Sequence, residues 1–141
     1  MEFGELLKAF LQDLQAIFRR QITFQGLTLS QLLILSSIPD TGIDMSSLAK
    51  VAGVDNSTMT RLAATMIKKG WIIKIRDDMD RRSYLIYLTK HGETLQLEIE
   101  NRIDKFGEAV ATQLPVEERE EMKEVLSSFH WTLSKLIMKK H

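Results

Sequence analysis

The sequence predicts a mainly α-helical protein that carries one small β-hairpin, on three observations. Apolar residues recur at three- and four-residue spacing over most of the chain, the period of an amphipathic helix. Only 7 Gly and 2 Pro stand among 141 residues, so breaks are few. Within residues 71–88 alone the period changes, and β-branched and aromatic residues crowd into two short runs. A chain of this length, 44% hydrophobic and 27% charged, suits one domain with a real core.

The first helix follows from Phe3, Leu6, Leu7, Phe10, Leu14, Ile17 and Phe18, which fall on one stripe, and Gly26 ends it. Ser30 is the expected N-cap of a second helix over residues 31–38, closed by Pro39 and Gly42. Asp44 or Ser46 caps a short third helix with Leu48, Ala49, Val51 and Ala52 on its apolar side, and Gly53 stops it. Asp55, Asn56 and Ser57 are successive cap candidates for a fourth helix that runs to about Lys69. Its expected buried side is Val54, Met59, Leu62, Met66 and Ile67. Gly70 supplies a left-handed stop, and Lys68 and Lys69 oppose the negative end of the helix dipole.

Residues 71–76 and 83–88 form the hairpin, with the charged loop Asp77, Asp78, Met79, Asp80, Arg81 and Arg82 between them. Thr89 caps a long helix over residues 90–112, roughly 34 Å at 1.5 Å per residue. Leu95, Ile99, Ile103, Phe106 and Val110 mark its apolar side. Pro115 suits the first turn of a last helix, with Met122, Val125, Leu126, Phe129, Leu133, Leu136 and Ile137 on one side. The apolar stripes of the two ends exceed what a core built from residues 30–90 can cover. A second copy of the chain is the expected partner.

Several function classes fall away. With no Cys there is no disulfide, thiolate catalysis or thiolate-bound metal. His91, His130 and His141 are scattered and suggest no metal site, and no cofactor is expected. No apolar run reaches the ~18–20 residues of a membrane span. Glu2 and Glu5 carry the wrong sign for a secretory leader, so a cytoplasmic location is expected. An enzyme is not expected: there is no glycine-rich phosphate loop and no nucleophile with a base beside it. Glu117, Glu118, Glu120 and Glu121 read as first-turn acids that favour the helix dipole.

The net charge is zero, but residues 44–90 hold nine Lys/Arg against five Asp/Glu, a local +4. Residues 1–43 carry −1 and residues 91–141 carry −3. A basic centre between acidic flanks points to a polyanion partner. The same centre has helix-turn-helix spacing: small Ala49 lets two helices approach, Gly53 allows the turn, and Met59 and Leu62 pack one helix on the other. That leaves Asn56, Ser57, Thr58, Thr60 and Arg61 at the exposed start of the second motif helix, where side chains reach base edges in a major groove. The hairpin that follows makes the segment a winged helix.

These residues resemble the MarR-type (multiple antibiotic resistance regulator) transcription factors. The likeness rests on Leu48-Ala49, Val54, the run Ser57, Thr58, Met59, Thr60 and Arg61, then Lys69-Gly70. It continues through Asp77, Asp80, Arg81 and Arg82 to Leu88, Thr89 and Gly92. The resemblance implies a DNA-binding homodimer, with residues 1–28 and 90–141 as dimerisation helices and residues 29–89 as the winged helix. The helix-turn-helix then covers about 45–69 and the wing about 71–89. It implies that Arg82 enters or flanks the minor groove, where a narrow groove attracts guanidinium, and that Asp80 holds the wing's arginines. Arg81 is a phosphate contact or solvated. Arg61 is read as a DNA contact in preference to an ion pair with Asp80, and Ser57, Thr58 and Thr60 as DNA contacts in preference to helix-start residues alone. Trp71, Phe24 and Tyr84 read as packing residues.

The chain departs from the family at Lys74, where many relatives carry Arg, at Arg76, where many carry Pro, and at Trp71, usually a smaller aliphatic. The missing Cys excludes the thiol-based peroxide-sensing branch, and the sparse His speak against a zinc-responsive one. By resemblance the protein represses a pseudo-palindromic operator on duplex DNA and lets go when a small aromatic or phenolic effector binds. The competing reading is a winged helix for protein–protein contact, which the basic centre argues against.

Overall fold

In the computed structural model, which describes residues 1–80 and 82–139, the chain divides into two compact units, Met1–Ile103 and Asp104–His141. Helix α1 (Phe3–Ile17) runs into a single π-helical turn, Phe18–Ile22, and then a loop turned by Gln25 and Gly26, both at positive φ. Helix α2 (Leu29–Ser36) starts earlier than expected, because its cap is Thr28 and not Ser30. Thr28 Oγ1 accepts from the Gln31 N–H at 3.1 Å, while the Thr28 N–H donates to Gln31 Oε1 at 3.0 Å. This reciprocal pair satisfies two orphan donors at once and also the side-chain oxygen of the buried Gln31. The helix ends at Ser36, short of the expected Ile38, since Pro39 disfavours helical backbone at the residue before it.

Strand β1 (Ile43–Asp44) leads into α3 (Met45–Ala52), α4 (Asn56–Lys68), β2 (Ile72–Arg76) and β3 (Tyr84–Leu88). Asp44 is the α3 cap: the Ser47 N–H donates to it at 2.9 Å and the Ser47 hydroxyl at 2.7 Å. These bonds, the hydroxyl's first, hold its carboxyl below the usual carboxylate range. The chain reverses at Gly53, φ 71°. Leu48 and Ala49 are buried, but Val51 is exposed and leaves the expected apolar side. On α4, Met59, Ala63 and Met66 are buried and Leu62 half-buried, whereas Ile67 is exposed, one residue off the stripe that Met59 and Met66 define. The sheet is antiparallel in the order β1-β3-β2. Ile72 faces Leu88, Lys74 faces Ile86, and Arg76 faces Tyr84, while Ile43 and Asp44 of β1 face Ile86 and Leu85. Strand β1 adds to the expected elements, because two residues carry no period from which to predict a strand.

Helix α5 (Lys90–Thr112) begins at a tight junction with the sheet. Thr89 Oγ1 donates to the Gly70 carbonyl at 2.6 Å and accepts from the Gly92 N–H at 3.0 Å, and the Thr89 N–H donates to the Trp71 carbonyl at 3.0 Å. Gly92 is buried against that carbonyl. One turn on, Gln96 Nε2 donates to the carbonyls of Leu35 (2.7 Å) and Ile38 (3.0 Å), tying α5 to the end of α2. The core of the first unit comprises Ile22, Leu32, Leu35, Leu48, Met59, Met66, Ile72, Ile86 and Ile99, with Leu95 and Trp71 at its edge.

In the second unit, Pro115 precedes a 3₁₀ turn, Val116–Glu118, and α6 (Arg119–Lys139) starts four residues later than a Pro115 start implies. The Arg119 Nε donates to the Leu114 carbonyl at 3.2 Å across this turn. Along α6, Val125, Leu126, Trp131, Leu136 and Ile137 are exposed and Phe129 is half-buried.

Candidate nucleic-acid interface

The buried face of α4 fixes the opposite one. Met59, Ala63 and Met66 point inward, so Ser57, Arg61, Ala64 and Lys68, spaced four, three and four, form the outward stripe, flanked by Thr60 and Thr65. Asp55 caps the helix, accepting the Thr58 N–H at 2.7 Å and the Ser57 hydroxyl at 3.0 Å. These bonds, the Thr58 backbone N–H first, hold the Asp55 carboxyl below its ordinary range. Arg61 turns back toward this cap, its Nη2 donating to Thr58 Oγ1 at 3.3 Å. Among the described residues it forms no hydrogen bond or ion pair with Asp80, whose described partners are Arg82 and Ser83. The Thr60 hydroxyl donates to the Asn56 carbonyl at 2.9 Å. Asn56, Ser57, Thr60 and Arg61 are exposed, while Thr58 is half-buried and offers less of itself to a partner. Ala64 and Thr65 belong to the same surface; neither carries a charge that would mark it in the sequence.

At the tip of the hairpin, Asp80 organises the turn. Its Oδ1 accepts from the Arg82 N–H at 3.1 Å, its Oδ2 from the Ser83 hydroxyl at 3.2 Å, and its carbonyl from the Ser83 N–H at 2.9 Å. The Arg82 backbone bond is the main reason that its carboxyl titrates below the ordinary range. The Arg82 guanidinium lies 3.6 Å from Asp80 with its side chain 94% exposed. So exposed a pair contributes little stability, and Asp80 acts on the backbone of the tip more than on the arginine's charge. Arg81, expected beside it, lies outside the described residues.

The stem of the wing differs from expectation at Tyr84. Instead of packing in the core, its half-buried ring lies near two cations, Lys74 Nζ at 4.6 Å and the Arg76 guanidinium at 4.8 Å from its centre. The Arg76 Nη2 also donates to the Tyr84 hydroxyl at 2.7 Å. Cross-strand register explains this, since Arg76 stands opposite Tyr84 and Lys74 diagonal to it on the same face. Trp71 is buried, as a packing residue should be, with Lys69 Nζ 5.2 Å from its ring. Phe24 is half-buried against Arg102. Among the described residues no three His, Asp or Glu converge to hold a metal ion, and no helix is long and apolar enough to cross a membrane.

A short helix pair, an outward second helix and an adjoining hairpin with a basic tip define a winged helix-turn-helix domain. The model of the MarR family matches residues 27–84. The HTH-type transcriptional regulator SarZ of Staphylococcus epidermidis is 27% identical over 107 residues, covering 74% of this chain and 70% of that protein. In fold, the chain is similar to FabT of Streptococcus pneumoniae, solved in complex with DNA (TM-score 0.78, 20% identity, 94% of this chain and 96% of that one). It is also similar to the PcaV transcriptional regulator of Streptomyces coelicolor, solved with its natural ligand (TM-score 0.73, 20% identity, 92% of each). The match to the MarR-family model and the likeness to these proteins, two of which are named as transcriptional regulators, agree with the winged helix-turn-helix fold.

Proposed function

We propose that the protein binds duplex DNA sequence-specifically as a homodimer and represses transcription from a pseudo-palindromic operator. Each α4 enters a major groove, Asn56, Ser57, Thr60 and Arg61 meet base edges and phosphates, and Thr58 supports them from the cap. Arg82 reaches the flanking minor groove, Arg81 is a phosphate contact or solvated, and Asp80 keeps the tip folded. The observation that carries this reading is the outward stripe of α4 beside a wing whose Arg82 is almost fully exposed. Half-sites would lie about 34–36 Å apart, one helical turn. The DNA-bound relative of the same fold supports it.

The terminal helices, residues 1–28 and 90–141, supply the dimer contacts in this reading, and residues 29–89 the winged helix. In support, Phe3, Phe10, Leu11 and Leu14 on α1 and Val125, Leu126, Leu136 and Ile137 on α6 expose apolar surface that a single chain leaves to water. A small effector, aromatic or phenolic, releases the DNA by favouring a dimer whose half-site spacing misfits the duplex. The ligand-bound relative supports this, as does an apolar cleft lined by Leu11, Leu14, Phe18, Leu29 and Leu33 in the first unit.

The test is binding to genomic fragments, the protein's own upstream region included, across a salt series. The reading expects one fragment bound far more tightly than random duplex, with log K falling against log salt at a slope of roughly −5 to −7, as for six to eight phosphates. Equal, weak binding to every duplex, in protein refolded to strip any effector, would leave the protein–protein module as the better account.

A further inference from the structure

Helix α1 does not run smoothly into the core. Before the fully buried Ile22 it widens into the π turn Phe18–Ile22. The Thr23 N–H donates five residues back, to the Phe18 carbonyl at 2.9 Å. In an α-helix its acceptor would be the Arg19 carbonyl, and that oxygen instead accepts the Thr23 hydroxyl at 2.6 Å. One threonine thus supplies two donors to the turn, and its N–H stands between two successive carbonyls. Closing on the fifth residue and not the fourth, the turn holds one residue more than an α-helical turn, a feature frequent at functional sites. After the turn the chain is fixed by Ile22 in the core and reversed by Gln25 and Gly26 at positive φ. Before it, α1 lies largely exposed, with Phe3, Phe10 and Leu14 open to water.

From this we infer that the π turn is a register joint between α1 and the winged-helix core, with Thr23 as its latch. While the Thr23 N–H bonds Phe18, α1 presents one face. If the N–H passes to Arg19, the extra residue is absorbed into the helix. Residues 1–17 then turn by about 100° and shift by about 1.5 Å relative to Ile22. The Thr23 hydroxyl holds the first register by occupying the competing acceptor. The joint borders the apolar cleft, because Phe18 belongs to the turn, Leu11 and Leu14 to α1, and Leu29 and Leu33 to α2. An occupant of that cleft therefore touches both sides of the joint. The effect on self-association rests on the dimer reading above, since a turned α1 takes its apolar residues away from a partner copy.

The experiment removes one residue at a time from the full chain and follows self-association by sedimentation and stability by thermal melting. Deleting Arg20, exposed within the turn, leaves Thr23 four residues after Phe18. The existing bond becomes an ordinary α-helical one, and α1 keeps its face. This variant should associate as wild type does and melt no lower. Deleting Gln12, exposed in mid-helix, turns residues 1–11 without such a repair. It should weaken association about tenfold or more, as for one large apolar side chain left unburied. Thr23→Val frees the Arg19 carbonyl for the N–H and should weaken association about two- to tenfold, the worth of one hydrogen bond. Thr23→Ser should not, and Thr23→Val should have no effect once Arg20 is deleted. Weaker association or a lower melting temperature on deleting Arg20 would overturn the inference. So would a Thr23→Val effect that persists in the deletion. A monomeric wild type would overturn the dimer reading instead, and melting of the Arg20 deletion would then decide the joint.

Discussion

Replacing Gly92 by Ala probes the joint on which the wing's placement depends. An ideal Cβ at this position would overlap the Trp71 carbonyl oxygen outright, with the carbonyl carbon at 3.0 Å and Leu88 Cδ2 at 3.2 Å. The carbonyl cannot swing away freely, because it accepts the Thr89 N–H in the junction where Thr89 also joins Gly70 and Gly92. Relief requires the start of α5 to back off the sheet. Overpacking of this kind costs about 1–3 kcal/mol, and weakening two junction hydrogen bonds adds about 0.5–1.5 kcal/mol each. Ala returns about 1 kcal/mol of helix propensity. The net expectation is destabilisation of about 1–5 kcal/mol, a large part of the ~5–15 kcal/mol that holds a typical domain. Urea unfolding at fixed protein concentration reads it as a lowered midpoint. Gly107→Ala is the internal control: the same helix and the same change, but nothing lies within 4 Å of the added atom. It should be neutral or stabilising by up to about 1 kcal/mol. If Gly92→Ala moved the midpoint as Gly107→Ala does, the close-approach argument would fail.

Other outcomes follow from the same geometry. Gly42→Ala should destabilise by about 2–3 kcal/mol in the same assay, since position 42 combines φ +83° with a Tyr87 ring 2.7 Å from the new Cβ; wild-type stability would contradict this. Asp44→Ala should cost about 1 kcal/mol by removing the α3 cap, and Asp44→Asn clearly less, because Asn also caps; equal destabilisation by the two would point to charge instead. Asp44, Asp55 and Asp80 all titrate below their ordinary value in the fold. Their stabilising effect is therefore complete above the unfolded carboxylate value near 4 and is lost as pH falls through the lower folded values. Melting temperature should be level above about pH 5 and drop below about pH 4, with Asp55→Asn reducing the drop. A drop that Asp55→Asn leaves untouched would assign it to other groups.

Much of the fold was legible because local chemistry and tertiary packing agree. Gly53 and Gly70 stop helices where their sequence context says they should, and Asp44, Asp55 and Thr89 cap them. The misses share a cause, namely partners distant in sequence or periods too short to see. Strand β1 exists only because Ile43 meets Ile86. Gln96 reads as a polar residue on a helix until two carbonyls near the end of α2 arrive. Thr28 outcompetes Ser30 as a cap through Gln31, a signal present in the sequence as a polar pair three residues apart. At the candidate interface, the exposure of Arg82 and of the start of α4 and the turn-holding bonds of Asp80 could be read from residue type and position. The tyrosine–cation cluster needed the hairpin register, which only the ladder supplies.

The central claim is that α4 reads base edges, and it is tested most directly by comparing wild type with Arg61→Gln on a selected genomic fragment and on random duplex at one salt concentration. The account predicts that wild type prefers the fragment by about 10³-fold or more. Arg61→Gln should lose between about fivefold and 150-fold of that preference, as for one base contact worth about 1–3 kcal/mol. Preference unchanged in Arg61→Gln, or no preference in wild type, would contradict it.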